Sequence, residues 1–422
     1  MSARLNSIQA RDIAYYLHPY TNLGVHEKEG PLVITHGEGI YVFDENGKKY
    51  IEGLAGLWCA SLGFNEDRLV EAAARQMRKL PYYHAFGSKS NEVGIELAER
   101  LIAIAPVPMS KVLFTSSGSE ANDTAVKLVW YYHNAIGKPE KKKIIARIKG
   151  YHGVTVASAS LTGLPNNHRD FDLPIARILH TDCPHFWRFG MPGESEDAFS
   201  TRCAESLEAL IQKEGPETIA AFFAEPVMGA GGVIVPPRGY FEKIQKVLKK
   251  HDILFVADEV ICGFGRTANM FATETYKLQP DMITIAKQLS SGYLPIAGLM
   301  IADKIYQAMV KESEKIGVFG HGYTYGGHPV PAAVALETLK IYEERDILGH
   351  VRRVSPRLQE GLRKIGKHPI VGEARGVGLI GGVELVKNKE TKEAFQPTDG
   401  AGAYAAKRCQ ANGLITRAMG ES

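Results

Sequence analysis

Along this chain, short unbroken apolar runs alternate with segments whose apolar residues recur every three or four positions. Lys111–Thr115 (KVLFT) and residues 142–150 (KKIIARIKG), 218–226 (TIAAFFAEP), 253–257 (ILFVA) and 282–286 (MITIA) are the runs. Their length and their Val, Ile and Phe content read as strands buried on both faces of a parallel sheet. Residues 66–80, 90–105, 116–137, 201–215 and 239–251 have helical spacing, the second opened by a Ser90-Asn91 cap. Strand and helix thus alternate from about residue 90 to about residue 300, the order of a doubly wound, mostly parallel α/β sheet.

The flanks read differently. Residues 1–30 are a polar and aromatic lead-in with Tyr15, Tyr16, His18 and Tyr20 close together. Three strand-like pieces follow at 31–37, 39–53 and 54–63, and Asn46-Gly47 marks a hairpin turn in what reads as a small antiparallel element. Residues 162–200 read as loop-rich, 328–366 as helical, 373–386 as a Gly-rich strand pair and 398–413 as a last helix. The final GLITRAMGES begins a strand and stops, so the expectation is that the true C-terminus lies further on. The organisation expected is an N-terminal segment (1–69) that joins a C-terminal small α+β domain (328–422), around a large ligand-binding domain (70–327).

Composition narrows the class. A net charge of +3 over 422 residues gives no support for nucleic-acid or membrane-surface binding. No stretch approaches the roughly 18 apolar residues of a membrane span, and the N-terminus lacks a signal-peptide core. The five cysteines are odd in number, scattered and free of any CxxC pair, which favours reduced thiols. The expectation is a soluble cytoplasmic protein with neither nucleic-acid nor membrane partners.

In an open α/β sheet, ligands bind outside the carboxyl ends of the strands. The run at 253–257 meets Asp258-Glu259 there, and the run at 282–286 meets Lys287, 29 positions further on. An amine whose base is buried has a lowered pKa and is a better nucleophile toward a carbonyl. A carboxylate at a strand end suits a protonated ring nitrogen; strand alternation gives that role to Asp258 and turns Glu259 the other way. The Ser116–Asn122 turn (SSGSEAN), with Ser117, Gly118 and Ser119, opens a helix and offers N–H groups, hydroxyls and a positive dipole end to a phosphate. Tyr151 and His152, after the 142–150 run, could supply an aromatic plane to a flat ligand. Glu225 is an acid after six apolar residues and needs a partner. Phosphate turn, aromatic plane, two acids and a lysine on one sheet edge point to pyridoxal 5'-phosphate, with no metal.

The stretch VADEVICGFGRTANMFATETYKLQPDMITIAKQLSSG closely resembles the class III (subgroup II) aminotransferase signature, and GLWCASLGF, FTSSGSEANDTAVKL, GYHGVT, AEPVMGAGGVIVPP and HGYTYGGHPV extend the resemblance over nearly the whole chain. It implies a fold type I enzyme and a homodimer, or a higher oligomer, with active sites shared between subunits. Gly118 and Ser119 would bind the phosphate, Tyr151 would stack on the ring, Val260 would cover its other face and Asp258 would hold its nitrogen. Lys287 would carry the cofactor as a Schiff base and shuttle the proton, and Thr324 would reach the phosphate of the neighbouring subunit.

Within that family the chain is most similar to the omega-transaminases. Tyr20, Trp58, Phe86 and Ala230 match positions that line their substrate pocket, and Arg417 matches their mobile carboxylate-binding arginine. The function this implies is ping-pong transfer of an amino group from an amine or omega-amino acid to pyruvate or another oxo acid. An aminomutase, racemase or decarboxylase would share the same lysine and acid. A non-enzymatic binding protein on this scaffold is the reading furthest from the residues.

Overall fold

The computed structural model describes residues 7–419. Its fourteen strands are, in chain order, β1 (Ile34–Glu38), β2 (Tyr41–Asp44), β3 (Lys49–Glu52), β4 (Lys111–Thr115), β5 (Lys143–Arg147), β6 (Ile178–Thr181), β7 (Ile219–Ala224), β8 (Leu254–Asp258), β9 (Met282–Ile285), β10 (Ala297–Ile301), β11 (Val371–Val377), β12 (Ile380–Asn388), β13 (Glu393–Ala394) and β14 (Leu414–Ile415). Seven of them form the large sheet, in the order β4-β10-β9-β8-β7-β5-β6.

Six of the seven run in parallel, as the long apolar runs require. The exception is β10, antiparallel to both β4 and β9. Neither β10 nor β6 was read from the sequence. The run at 297–301 carries no signal of direction, and β6 is four residues long inside a stretch rich in Pro, Asn and Asp.

The central strands are buried throughout, and their side chains alternate between two cores. Leu254 and Val256 of β8 pack into the cluster under the helix Gly118–Ala135, while Phe255 and Ala257 face clusters on the opposite side. That opposite side is covered by the helices Glu92–Ala103, Glu196–Glu214, Tyr240–Lys250 and Pro329–Glu344. Each such buried Leu, Val or Phe contributes about 1.5–3 kcal/mol, so a strand hydrophobic on both faces has one stable place, between helix layers.

The smaller part is built from both ends of the chain. β1, β2 and β3 form an antiparallel meander, and β14 adds to its edge in parallel with β3, Leu414 beside Ile51. Asp44 fixes the β2–β3 hairpin, accepting from the backbone N–H groups of Asn46 and Lys48 while Gly47 takes φ +77°. Residues 54–63, expected as strand, fold instead as a kinked helical turn at Ala55–Trp58. Ala55, Gly56 and Trp58 all have positive φ there, which breaks any extended pairing whatever the hydrophobic pattern. No helix among the described residues is long and apolar enough to cross a membrane.

Candidate active site

Alternation along β8 decides where its terminal acid goes. Asp258 follows Leu254 and Val256 toward the helix Gly118–Ala135, and there meets Asn122, whose Nδ2 donates to Asp258 Oδ2 at 2.8 Å. His152 Nδ1 lies 2.8 Å from the same oxygen, and the Val260 N–H donates to Oδ1 at 3.1 Å. Glu259 turns to the other face, as expected, and accepts from the Ala272 and Thr273 N–H groups and the Thr273 hydroxyl. Burial raises the Glu259 carboxyl to about 7.

Lys287 follows β9 and opens a 3-10 turn, Lys287–Ser290, that Gln288 anchors by donating to the Gly263 carbonyl at 2.6 Å. Its φ of +52° is a left-handed conformation that costs a β-carbon residue roughly 1–2 kcal/mol. Strain of that kind persists where the surrounding structure imposes it, commonly at working sites. Burial pushes the Lys287 amine below the ordinary lysine range, an effect partly opposed by the Asp258 charge. Among the described residues, the amine has no hydrogen-bond or ion-pair partner.

Between them lies a cavity of about 420 Å³, lined by Ser117, Gly118, Ser119, Tyr151, His152, Glu225, Asp258, Val260 and Lys287. At one end Ser117 caps the helix Gly118–Ala135 by accepting from the Glu120 N–H. Ser119 Oγ accepts from the Val154 N–H, which leaves its own proton free to donate inward. Two glycines keep this end open. A β-carbon on Gly118 would meet Val260 at 3.0 Å, and one on Gly153 (φ +132°) would lie 2.5 Å from the hydroxyls of Ser119 and Ser158.

Tyr151 and His152 part company. Tyr151 stays on the cavity wall, its hydroxyl pushed above the usual tyrosine range by burial and then by the neighbouring Tyr20. The ring of His152 is spent on Asp258, with Nε2 buried and without a partner, so it is placed to orient the acid instead of offering a second aromatic plane. Glu225 finds its partners in two backbone N–H groups, Tyr151 at 2.9 Å and Gly229 at 2.8 Å, and burial raises its carboxyl. The acid therefore ties the Tyr151 turn to the turn after β7.

The remaining sequence candidates scatter. Neither Arg417 nor Tyr20 lines the cavity, but both lie close enough to Tyr151 to act on its hydroxyl; the Arg417 guanidinium is 5.6 Å from the Tyr20 ring centroid, and the Tyr20 hydroxyl accepts from Asn167 at 2.6 Å. Trp58 does not line the cavity; it packs behind the wall with Val227 and Ile261, and its neighbour Cys59 lines it instead. Ala230 sits in the turn after Gly229, off the lining. Phe86 and Thr324 lie together elsewhere on the chain: the Phe86 ring packs on Gly322, and Tyr82 donates to the Thr324 carbonyl. Neither lines the cavity of its own chain.

Asn122 is the residue that sequence reasoning passed over. It donates both to Asp258 and to the His152 carbonyl at 2.7 Å, joining three segments. Its signal is the spacing of four from Gly118, which puts both on one helix face.

Comparison with known proteins adds four findings. A family model described as Aminotransferase class-III matches residues 23–422. "Gamma aminobutyrate transaminase 3, chloroplastic" of Solanum lycopersicum is 55% identical over 424 aligned positions, covering 99% of this chain and 81% of that protein. "Vanillin aminotransferase" of Capsicum annuum is 53% identical, covering 96% and 88%. Among solved structures, the omega transaminase from Pseudomonas jessenii in complex with PMP superposes with a TM-score of 0.97 at 57% identity, covering 98% of this chain and 92% of that one.

Proposed function

This chain belongs to the class III aminotransferase family, and from that membership we propose that it moves an amino group from an amine or omega-amino acid to pyruvate. The products are alanine and an aldehyde or ketone, formed in two half-reactions of a ping-pong cycle. The family's cofactor is pyridoxal 5'-phosphate, and the cavity fits it. The helix N-terminus at Gly118 and the two glycine positions leave room for a phosphate against backbone, and a buried acid and a buried amine stand further in.

When bound, pyridoxal phosphate supplies a reactive carbonyl and a ring that accepts electrons. The chain's residues supply the rest. Ser117, Gly118 and Ser119 hold the phosphate with N–H groups, hydroxyls and the helix dipole. Tyr151 and Val260 take opposite faces of the ring. Asp258, steadied by Asn122, His152 and the Val260 N–H, holds a protonated ring nitrogen. Glu225 keeps the Tyr151 turn in place. Lys287 Nζ anchors the cofactor and then takes up and returns the proton of the donor carbon; desolvation favours its neutral, proton-accepting form.

The observation that carries the substrate reading is Arg417 over Tyr20, beside Tyr151, with no carboxylate partner among the described residues. An unpaired guanidinium beside Tyr151 can grip the carboxylate of pyruvate or of an omega-amino acid such as γ-aminobutyrate, and release it for a neutral amine. A homodimer with shared active sites completes the proposal. The exposed Phe86 and Tyr325, with Thr324 beside them, form a face that a second copy would cover, each copy carrying its Phe86 and Thr324 to the other's cavity. The five free thiols support a reducing compartment, and the cytoplasm is the location we propose.

The test is a panel of donors (β-alanine, γ-aminobutyrate, taurine, a diamine, an aryl amine) with pyruvate, following alanine. Arg417→Ala should raise the KM for pyruvate about 10- to 150-fold, the loss of charge-assisted hydrogen bonds worth about 1.5–3 kcal/mol. Absence of alanine with every donor would overturn the pyruvate reading.

A further inference from the structure

Outside the catalytic cavity, one cluster of side chains has the makings of a second site. The N-terminal segment folds as two short helices, Ile8–Tyr15 and Leu23–Glu29, capped by Ser7 and Asn22. Asp12 comes from the first helix, His26 from the second and His18 from the loop between them. One ligand atom from each lies within 4.8 Å of the other two. His18 Nε2 stands 2.9 Å from Asp12 Oδ2, and His26 Nε2 stands 3.1 Å from Asp12 Oδ1. The two imidazole rings are 4.3 Å apart.

Hydrogen bonding accounts for only half of this arrangement. His18 is bonded to both carboxylate oxygens of Asp12. His26 Nε2 is buried and has no hydrogen-bond partner, although its side chain is only 10% exposed and the carboxylate is within reach. The ring nitrogen is therefore not aimed along the line to the oxygen. Between His26 and Asp12 that is the geometry of two ligands sharing an ion, in which the lone pair points at the ion and diverges from the ligand–ligand line; His18, bonded to both carboxylate oxygens, exchanges that bond for the ion. Tetrahedral zinc, with bonds of about 2.0 Å, separates its ligand atoms by about 3.3 Å. The two His–Asp separations, 2.9 and 3.1 Å, fall short of that by a few tenths of an ångström, and the His18 and His26 ligand atoms lie within 4.8 Å of each other.

Two imidazoles and one carboxylate select a borderline transition metal over magnesium or calcium, which take oxygen ligands. Three protein ligands leave a fourth position for water, and the exposed edge of His18, 24% accessible, gives the ion a way in. We propose that Asp12, His18 and His26 bind one divalent ion of the zinc type per chain, and that the ion fastens the two N-terminal helices around the loop that presents Tyr20. This site is independent of the reaction assigned above, since no residue in it touches the catalytic cavity.

The experiment uses the cofactor-loaded enzyme, stripped with a chelator and titrated with Zn²⁺ alone in competition with a chromogenic chelator. One ion per chain is expected. His18→Ala and His26→Ala should each weaken binding by at least about 10-fold, and the double variant should lose it. Co²⁺ should give tetrahedral visible bands in the wild type and none in the double variant. Far-UV circular dichroism of each stripped variant checks that it has folded, and Asp12→Asn, which keeps the side-chain shape, should weaken binding without unfolding. Zn²⁺ at about 100 times its Kd should slow tryptic cleavage after Arg11 and Lys28 by up to about 100-fold, because it binds only the closed segment. Absence of stoichiometric binding, or equal affinity in the double variant, overturns the site; cleavage unaffected by Zn²⁺ overturns its fastening role.

Discussion

Asn122→Ala is the substitution whose consequences the structure divides most cleanly. The side chain makes two buried donations, at 2.8 Å to the Asp258 carboxylate and at 2.7 Å to the His152 carbonyl. A hydrogen bond to a charged group is worth about 1.5–3 kcal/mol, and a buried carbonyl left without its donor costs about 1–3 kcal/mol. Together they predict a loss of roughly 2.5–6 kcal/mol of stability. Only the first term bears on catalysis, because in the proposed mechanism it is Asp258 that holds the ring nitrogen. It converts to a fall in kcat/KM of about 10- to 150-fold, at 1.36 kcal/mol per factor of ten. The assay is amine–pyruvate transamination with cofactor in excess, so that lost occupancy does not count as lost turnover, alongside a thermal melt. Asn122→Asp separates orientation from packing: it keeps the volume, removes the donor and sets a second carboxylate against Asp258, so it should be slower than the alanine variant. A kcat/KM for Asn122→Ala within about twofold of wild type, in a protein whose melt shows the predicted destabilisation, would refute the argument that Asn122 orients the acid.

Three further outcomes follow from the same geometry. Lys287→Ala should abolish multiple turnover while leaving phosphate binding intact, since the Gly118 end of the cavity is untouched; substantial residual turnover contradicts the role assigned to the amine. Gly153→Ala places a β-carbon 2.5 Å from Ser119 Oγ at φ +132°, so the turn must move off Ser119, and cofactor retention on dilution should fall at least about 10-fold. Glu259, raised to about 7 from an ordinary 4.5, binds its proton more tightly folded than unfolded. Its unfavourable contribution is absent below the unfolded value and grows as pH rises from there to about 7, reaching roughly 3 kcal/mol. Denaturation of Glu259→Gln beside wild type from pH about 5 to about 8 should therefore show the difference moving in favour of the variant, and a constant difference would count against the burial argument.

Much of the site was legible because burial and chemistry coincide at strand ends. Asp258 and Lys287 each close a run of residues that belongs between helix layers, and a charged group at such a position stands out from its surroundings. Period-two alternation was enough to send Glu259 away from the cavity. Asn122 was hidden because a polar residue in a helix reads as solvent-facing unless the partner beneath it is known. His152 was placed beside Tyr151 by sequence, but the acid it pairs with is 106 positions away. Trp58 sits behind the cavity wall because Gly56 and its own left-handed backbone turn the chain, a property that hydrophobic pattern does not carry. Phe86 and Thr324 resist reading within one chain for a different reason: they pack with each other's segments and away from their own cavity.

The pairing of β14 with β3 has a consequence in time. Gly53 donates to the Ile415 carbonyl, Ile51 donates to the Gly413 carbonyl, and Lys48 reaches the Ala411 carbonyl across 363 positions of sequence. A ribosome adds about 5–20 residues per second, so the meander of β1, β2 and β3 waits roughly 20–70 s for its fourth strand. Throughout that interval β3 is an open sheet edge, the kind of surface that recruits foreign strands. Lys49 and Glu52, charged residues at the two ends of that edge, are suited to guard it. Arg417, two residues beyond β14, takes its post only when the edge closes. A nascent chain can thus assemble the proposed pyridoxal phosphate cradle well before the arginine proposed to grip a carboxylate is in place.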